Sequence, residues 1–97
     1  MKVSFRSRKL ETLETEASDA GYPPEAVKAF RRRMQFLRSA DDERDLRAMK
    51  SMRFEKLQGA RSHQHSLRLN DQWRLILEIE PQGTTKKLVI VDIEDYH

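Results

Sequence analysis

Residues Leu57–Arg74 read LQGARSHQHSLRLNDQWR, and the register of the hairpin inside them decides the fold. Successive strand residues point to opposite faces of a sheet. His65, Leu67 and Leu69 therefore share one face, with Ser66, Arg68 and Asn70 on the other. Just beyond, Trp73, Leu75, Leu77 and Ile79 share a face opposite Arg74. A two-residue loop at Asn70-Asp71 would put Arg68 on the face of Trp73 and break the amphipathic match. A loop with an odd number of residues, most simply Asn70 to Gln72, pairs Leu69 with Trp73 and Leu67 with Leu75. It also sets Arg68 across from Arg74. Like charges directly opposite repel in a sheet, so the pair reads as a seat for an anion such as a phosphate.

The flanking segments complete the pattern. Leu88 to Ile93 is apolar on both faces and suits a central strand, with Pro81-Gln82-Gly83 as the turn before it. Arg53 to Gln58 predicts a further strand. At the other end, Lys2 to Arg6 alternates as a short strand with Val3 and Phe5 facing one way. Leu10, Leu13, Ala17 and Ala20 recur at helical spacing, and Gly21 is a C-terminal stop. Pro24 suits the first turn of a second helix whose apolar stripe is Val27, Phe30, Met34 and Leu37. Lys28, Arg31, Arg32, Arg33 and Arg38 cover much of its remainder, which ordinarily makes a solvated face. Asp41 or Asp42 can cap a short third helix carrying Leu46 and Met49. The expected class is α+β: an N-terminal strand and two to three helices packed on a mainly antiparallel twisted sheet. Residues 1–97 are expected to form a single domain.

Lys and Arg number 19 against 16 acidic residues, a formal charge of +3. That excess gives only weak attraction to polyanions unless it is concentrated on one surface. The absence of cysteine excludes disulfides, thiolate metal sites and a cysteine nucleophile. The N-terminus lacks the apolar core of a signal peptide, and no apolar run is long enough to span a bilayer. A soluble cytoplasmic protein without membrane association is expected. Charged residues make up 36% of the chain, yet the apolar residues are periodic, so a folded chain is expected.

Chemistry concentrates at two places. The sequence ends Glu94-Asp95-Tyr96-His97, and Arg68 and Arg74 share the polar sheet face. Basic groups near an acid and a base are what cutting a phosphodiester requires. Chain-end residues are often frayed, but these follow a strongly apolar strand, which should hold them near the sheet. Arg74 flanks Trp73, itself read as core, and should be firmly positioned. His63 and His65 stand at i, i+2, a spacing that zinc can use. No thiolate and no clear third ligand accompany them, so they read as structural, and neither metal nor cofactor is expected.

The segment QHSLRLNDQWRL (Gln64 to Leu75), the upstream Leu57 with Gly59, and the terminal VDIEDYH (Val91 to His97) resemble the HigB group of the RelE/ParE toxin superfamily. The order of strand, two helices and antiparallel sheet agrees, and the resemblance covers nearly the whole chain. It implies the toxin of a toxin–antitoxin pair, a ribosome-dependent mRNA endonuclease that cuts the codon in the A site. The implied chemistry is attack of the ribose 2′-OH on the adjacent phosphate, without metal. Asp95, Tyr96 and His97 match the family's C-terminal catalytic run, Arg74 its phosphate-stabilising arginine, and Arg68 a basic position on the adjacent strand. Several relatives carry a histidine two residues before the leucine of the Leu57–Gly59 motif. Glu55 stands there in this chain, which leaves the general base open between Glu55 and His97. Arg53, Lys56 and Arg61 are candidates to grip RNA phosphates. The implied partners are a helix-turn-helix antitoxin of the HigA type, the ribosome and mRNA. Two other functions compete: a non-catalytic toxin acting on DNA gyrase as the ParE branch does, and a plain RNA- or protein-binding module.

Overall fold

The computed structural model describes residues 1–16 and 19–95. Five strands form one sheet in the order β1-β5-β4-β3-β2, where β1 is Lys2–Phe5, β2 Glu55–Lys56, β3 His65–Arg68, β4 Trp73–Gln82 and β5 Thr85–Asp95. All neighbours are antiparallel except β1 against β5. The helices are α1 (Arg8–Thr15), α2 (Pro24–Ser39) and α3 (Glu43–Ala48), with short 3-10 turns at Lys50–Met52 and Gly59–Arg61. The fold is thus α+β, as the alternation and the helical spacing predict.

One core joins the helices to one sheet face. Leu10 and Leu13 of α1, and Val27, Phe30, Met34 and Leu37 of α2, meet Leu67, Leu75, Leu77, Leu88, Ile90 and Ile93 of the sheet. Burial of apolar side chains at about 25 cal/mol per Å² makes this cluster the main stabilising term. Two arginines tie the helices together. Arg31 Nε donates to the Leu13 carbonyl at 3.0 Å, and Arg38 grips Glu14 with two bonds of 2.7 Å. Ile76 and Val89 are buried apart from the cluster, on the sheet's other face, in register with Ser66 and Glu78.

The hairpin register is the expected one. Leu67 faces Leu75, Arg68 faces Arg74, and the Leu69 N–H donates to the Trp73 carbonyl at 2.9 Å. Asn70 stabilises the three-residue loop, because its Oδ1 accepts from the N–H groups of Gln72 (2.9 Å) and Trp73 (2.8 Å).

One irregularity sets the phase of the chain end. Ile76 pairs with Asp92, but Leu77 pairs with Ile90, so Val91 is an extra residue in β5. Without this bulge, Asp92 would follow Leu88 and Ile90 onto the core face. With it, Ile93 takes that place and is 5% exposed. The same step puts Glu94 opposite Arg74 and Asp95 opposite Trp73.

Several local expectations are corrected. α1 ends at Thr15, short of Ala20, and Ala17 lies outside the described residues. Gly21 instead serves an Asx turn at φ 87°, its N–H bonded to Asp19 Oδ1 at 2.9 Å. Asp42 caps α3 through the Arg44 N–H at 2.9 Å, and Leu46 is buried, but Met49 lies past the helix and is exposed. The strand expected over 53–58 shrinks to Glu55–Lys56, because 3-10 turns occupy both flanks. Pro81 and Gln82 are paired in β4 with Lys86 and Thr85, so the turn is Gly83-Thr84, with Gly83 at φ 61°. Proline is tolerated there because the rung next to a two-residue turn's closing pair points its amide positions outward. The pairing of β3 along β4 stops at Leu77, opposite His65, and does not reach that edge.

His63 and His65 do not share a strand face. His63 precedes β3 and lies 3.8 Å from Glu78, whereas His65 is in register with core-facing Leu77 and stacks on Phe54 at 4.9 Å between ring centroids. Burial pushes the His65 imidazole below its ordinary value of 6.5; nearby Arg47 and Lys56 add to this and Glu43 opposes it. A histidine with a depressed folded pKa stabilises the fold above its unfolded value and loses that contribution as pH falls through and below 6.5. His65→Phe should therefore show a weaker loss of melting temperature between neutral and mildly acidic pH than the wild type. Equal acid sensitivity in thermal denaturation would contradict this.

Candidate active site on the polar sheet face

Three strands present four polar side chains to one face. Glu55 is in register with Ser66, and Arg68 with Arg74, so alternation turns all four the same way. They line a cleft of about 190 Å³ together with Arg53, Asn70, Asp71 and Trp73. Ser66 is the buried polar residue in its wall, at 4% exposure. Arg74 is half-buried and held between Trp73, which meets Tyr22 edge-on at 5.8 Å, and Leu75, which is fully buried. Trp73 thus serves both the core and the cleft wall.

The opposed arginines do not need an outside anion to coexist. Arg68 folds back over the hairpin loop, where Nε donates to the Asn70 carbonyl at 3.3 Å and the guanidinium pairs with Asp71. Asp71 is 94% exposed at its side chain, so this ion pair is weak and open to exchange. A phosphate entering the cleft can compete for Arg68.

Arg53 enters the cleft from a strained backbone. It closes the 3-10 turn at φ 47°, its N–H bonded to the Lys50 carbonyl at 3.1 Å. A non-glycine residue in this left-handed region costs about 1–2 kcal/mol. Arg53→Gly is expected to be at least as stable as the wild type, because glycine removes that cost and pays a smaller entropic one. It should nonetheless weaken the binding of a phosphate-bearing ligand in the cleft several-fold. Parallel melting and binding measurements check both halves, and a destabilised Arg53→Gly with unchanged affinity would contradict them.

The other expected site residues lie elsewhere. Lys56 is in register with His65 and so faces away from the cleft. Arg61 is committed to Glu94 by two bonds of 3.2 and 2.7 Å, and its pKa is raised by that carboxylate. It braces the second 3-10 turn onto β5 beside Arg74. Asp95 belongs to the face of Trp73, where its Oδ2 accepts from Gln72 at 3.3 Å. Tyr96 and His97 lie outside the described residues.

Sequence reasoning missed three participants. Ser66 had a signal, since alternation puts it on the face of Arg68. Asp71 had one too, being three residues from Arg68 across a tight loop. Arg33 had none, because its Nε reaches the Arg68 carbonyl (3.1 Å) only through the docking of α2 against the sheet edge. No group of three His, Cys, Asp or Glu side chains suited to a metal ion occurs among the described residues. Nor is any helix among them long and apolar enough to cross a membrane.

Comparison with known proteins bears on this arrangement. A family model described as HigB-like toxin, a RelE-like toxin of type II toxin–antitoxin system HigB, matches residues 3–97. No curated protein matches the chain. Among solved structures, the YoeB/ParE toxin from Agrobacterium tumefaciens superposes with a TM-score of 0.59 at 15% identity, covering 100% of both chains. At that identity the likeness is one of fold.

Proposed function

The chain belongs to the HigB-like family of RelE-type toxins from type II toxin–antitoxin systems, and from that premise we propose that it is a ribosome-dependent mRNA endonuclease. The observation that carries this reading is the convergence of Glu55, Arg68 and Arg74 on one cleft. In the proposed reaction a ribose 2′-oxygen, losing its proton to a base, attacks the adjacent phosphorus. The 5′-oxygen leaves and takes a proton from an acid, giving a 2′,3′-cyclic phosphate and a 5′-hydroxyl. Arg74 and Arg68 stabilise the charge that builds on the pentavalent phosphate. Glu55 or His97 is the base, and Tyr96 stacks on a base or orients the 2′-OH. When Glu55 is the base, His97 is the acid. Asp95, on the far face of β5, acts through the chain end and not on the phosphate. Arg53 supplies a neighbouring phosphate contact.

A toxin of this class has an antitoxin partner. We propose a helix-turn-helix protein of the HigA type, acidic where it meets the basic surface, and action in the cytoplasm on translating ribosomes. Primer extension on mRNA, with and without translating ribosomes, tests the reading. Codon-aligned cuts that require ribosomes are expected. Gyrase poisoning without cuts would replace the endonuclease by a ParE-like toxin, and RNA binding without cuts would leave a binding module.

A further inference from the structure

Arg33 makes its bond without a carboxylate, unlike six other arginines of the chain. Arg6, Arg38, Arg44, Arg47, Arg61 and Arg68 each meet a carboxylate. Arg33 meets none among the described residues; it has a backbone carbonyl instead, that of Arg68 at 3.1 Å. The sheet explains why that carbonyl is available. The Leu69–Trp73 rung is hydrogen-bonded, so at Arg68 the amide groups point away from β4 toward the outer edge of β3. β2 pairs only as far as Ser66 and leaves this edge open. Capping it takes one of the five guanidinium N–H donors. Burial pushes the Arg33 pKa down, and the charges of Arg32 and Arg68 add to this. A partly desolvated cation among cations is unfavourable until an anion joins it. A neutral donor would cap the carbonyl without that cost, so edge capping alone does not account for an arginine here.

We infer that Arg33 is a second phosphate seat, taking the backbone phosphodiester of the bound mRNA next to the one held by Arg68 and Arg74. The inference rests on the endonuclease reading. Single-stranded RNA suits it, because each nucleotide brings a phosphate and Arg33 is anchored to the backbone of a cleft residue. Ribosomal RNA offers the same chemistry from another source, and the test separates the two.

Binding of the toxin to 70S ribosomes is measured against salt, with the A-site codon carrying a 2′-deoxyribose so that it cannot be cut. Each phosphate contact to a single strand contributes about 0.7 to the slope of log affinity against log salt. Arg33→Gln should lower the slope by about that amount on programmed ribosomes and leave it unchanged on ribosomes without mRNA. Arg33→Lys, which keeps the charge, should retain the wild-type slope. An unchanged slope in Arg33→Gln overturns the proposal, and an equal drop with and without mRNA assigns the contact to ribosomal RNA and also overturns it. Cleavage of ordinary mRNA by the wild type is followed in parallel: if it persists while the slope does not move, only the second seat fails. Absence of both binding and cleavage removes the seat together with the endonuclease reading. Should Arg33→Gln not fold, phenylglyoxal labelling of wild-type protein on the same ribosomes decides. Protection of Arg33 only when mRNA is present supports the seat, and equal labelling overturns it.

Discussion

Arg74→Ala should lose on the order of 100-fold or more in cleavage rate while remaining folded, since that is the usual cost of removing a preorganised donor from a developing negative charge. The geometry makes the size of this effect reasonable. Arg74 is the second residue of β4, flanked by Arg68 on β3 and Glu94 on β5, and stands between half-buried Trp73 and fully buried Leu75, so its base cannot wander. Its register partner on β3 is Arg68, whose charge is loosely held by exposed Asp71. A phosphate between the two arginines gains two charged donors at little reorganisation cost. The apolar core is on the other side of the strand, so the substitution removes little of it. Arg74→Lys should fall between wild type and Arg74→Ala, because it keeps a point charge but loses the planar fork. Single-turnover cleavage on programmed ribosomes and a melting curve measure both consequences. Wild-type cleavage by a folded Arg74→Ala protein would remove Arg74 from the reaction.

Deleting Tyr96 and His97 should abolish cleavage without unfolding the domain. The second half follows from the core: the last buried apolar side chain of β5 is Ile93, three positions before the first residue removed. The first half follows from the proposed chemistry, in which the 5′-oxygen needs a proton to leave. Ribosome binding should be largely retained, because Arg53, Arg68 and Arg74 are untouched. A truncated protein that melts like the wild type and cuts like it would place the acid elsewhere. A pH–rate profile of Glu55→Gln beside His97→Gln then assigns the base, since loss of the base removes the limb of the profile that rises with pH.

The parts of the site legible in the sequence were those governed by a period of two. The alternation in His65–Arg68 and Trp73–Ile79, with the odd loop it demanded, led directly to the observed facing of Arg68 and Arg74. Glu55 joined them because β2, although only two residues long, pairs in phase with Ser66. What was not legible depends on events that break periodicity or arise from tertiary contact. The bulge at Val91 shifts the phase of β5, so Asp95 lands opposite Trp73 and not beside Arg74. Nothing in VIVDIED marks that extra residue except the cost of burying Asp92. Arg61 looked like a free cation in a loop, and only the folded chain shows it spent on Glu94, thirty-three residues on. Arg53 looked like the start of a strand, but the 3-10 turn before it forces a left-handed backbone at that point. Asp71 resolves the conflict of the opposed arginines, which alternation alone assigns to an external anion.

The most direct measurement is the chemical identity of the new ends when the protein acts on mRNA held in programmed 70S ribosomes, read by mass spectrometry. The predicted result is a 2′,3′-cyclic phosphate on the upstream fragment and a 5′-hydroxyl on the downstream one, with both absent when the A-site ribose at the cut is 2′-deoxy. A 3′-hydroxyl paired with a 5′-phosphate, or cutting that survives the 2′-deoxy substitution, would contradict attack by the 2′-oxygen and with it the roles given to Glu55, Arg68, Arg74 and His97.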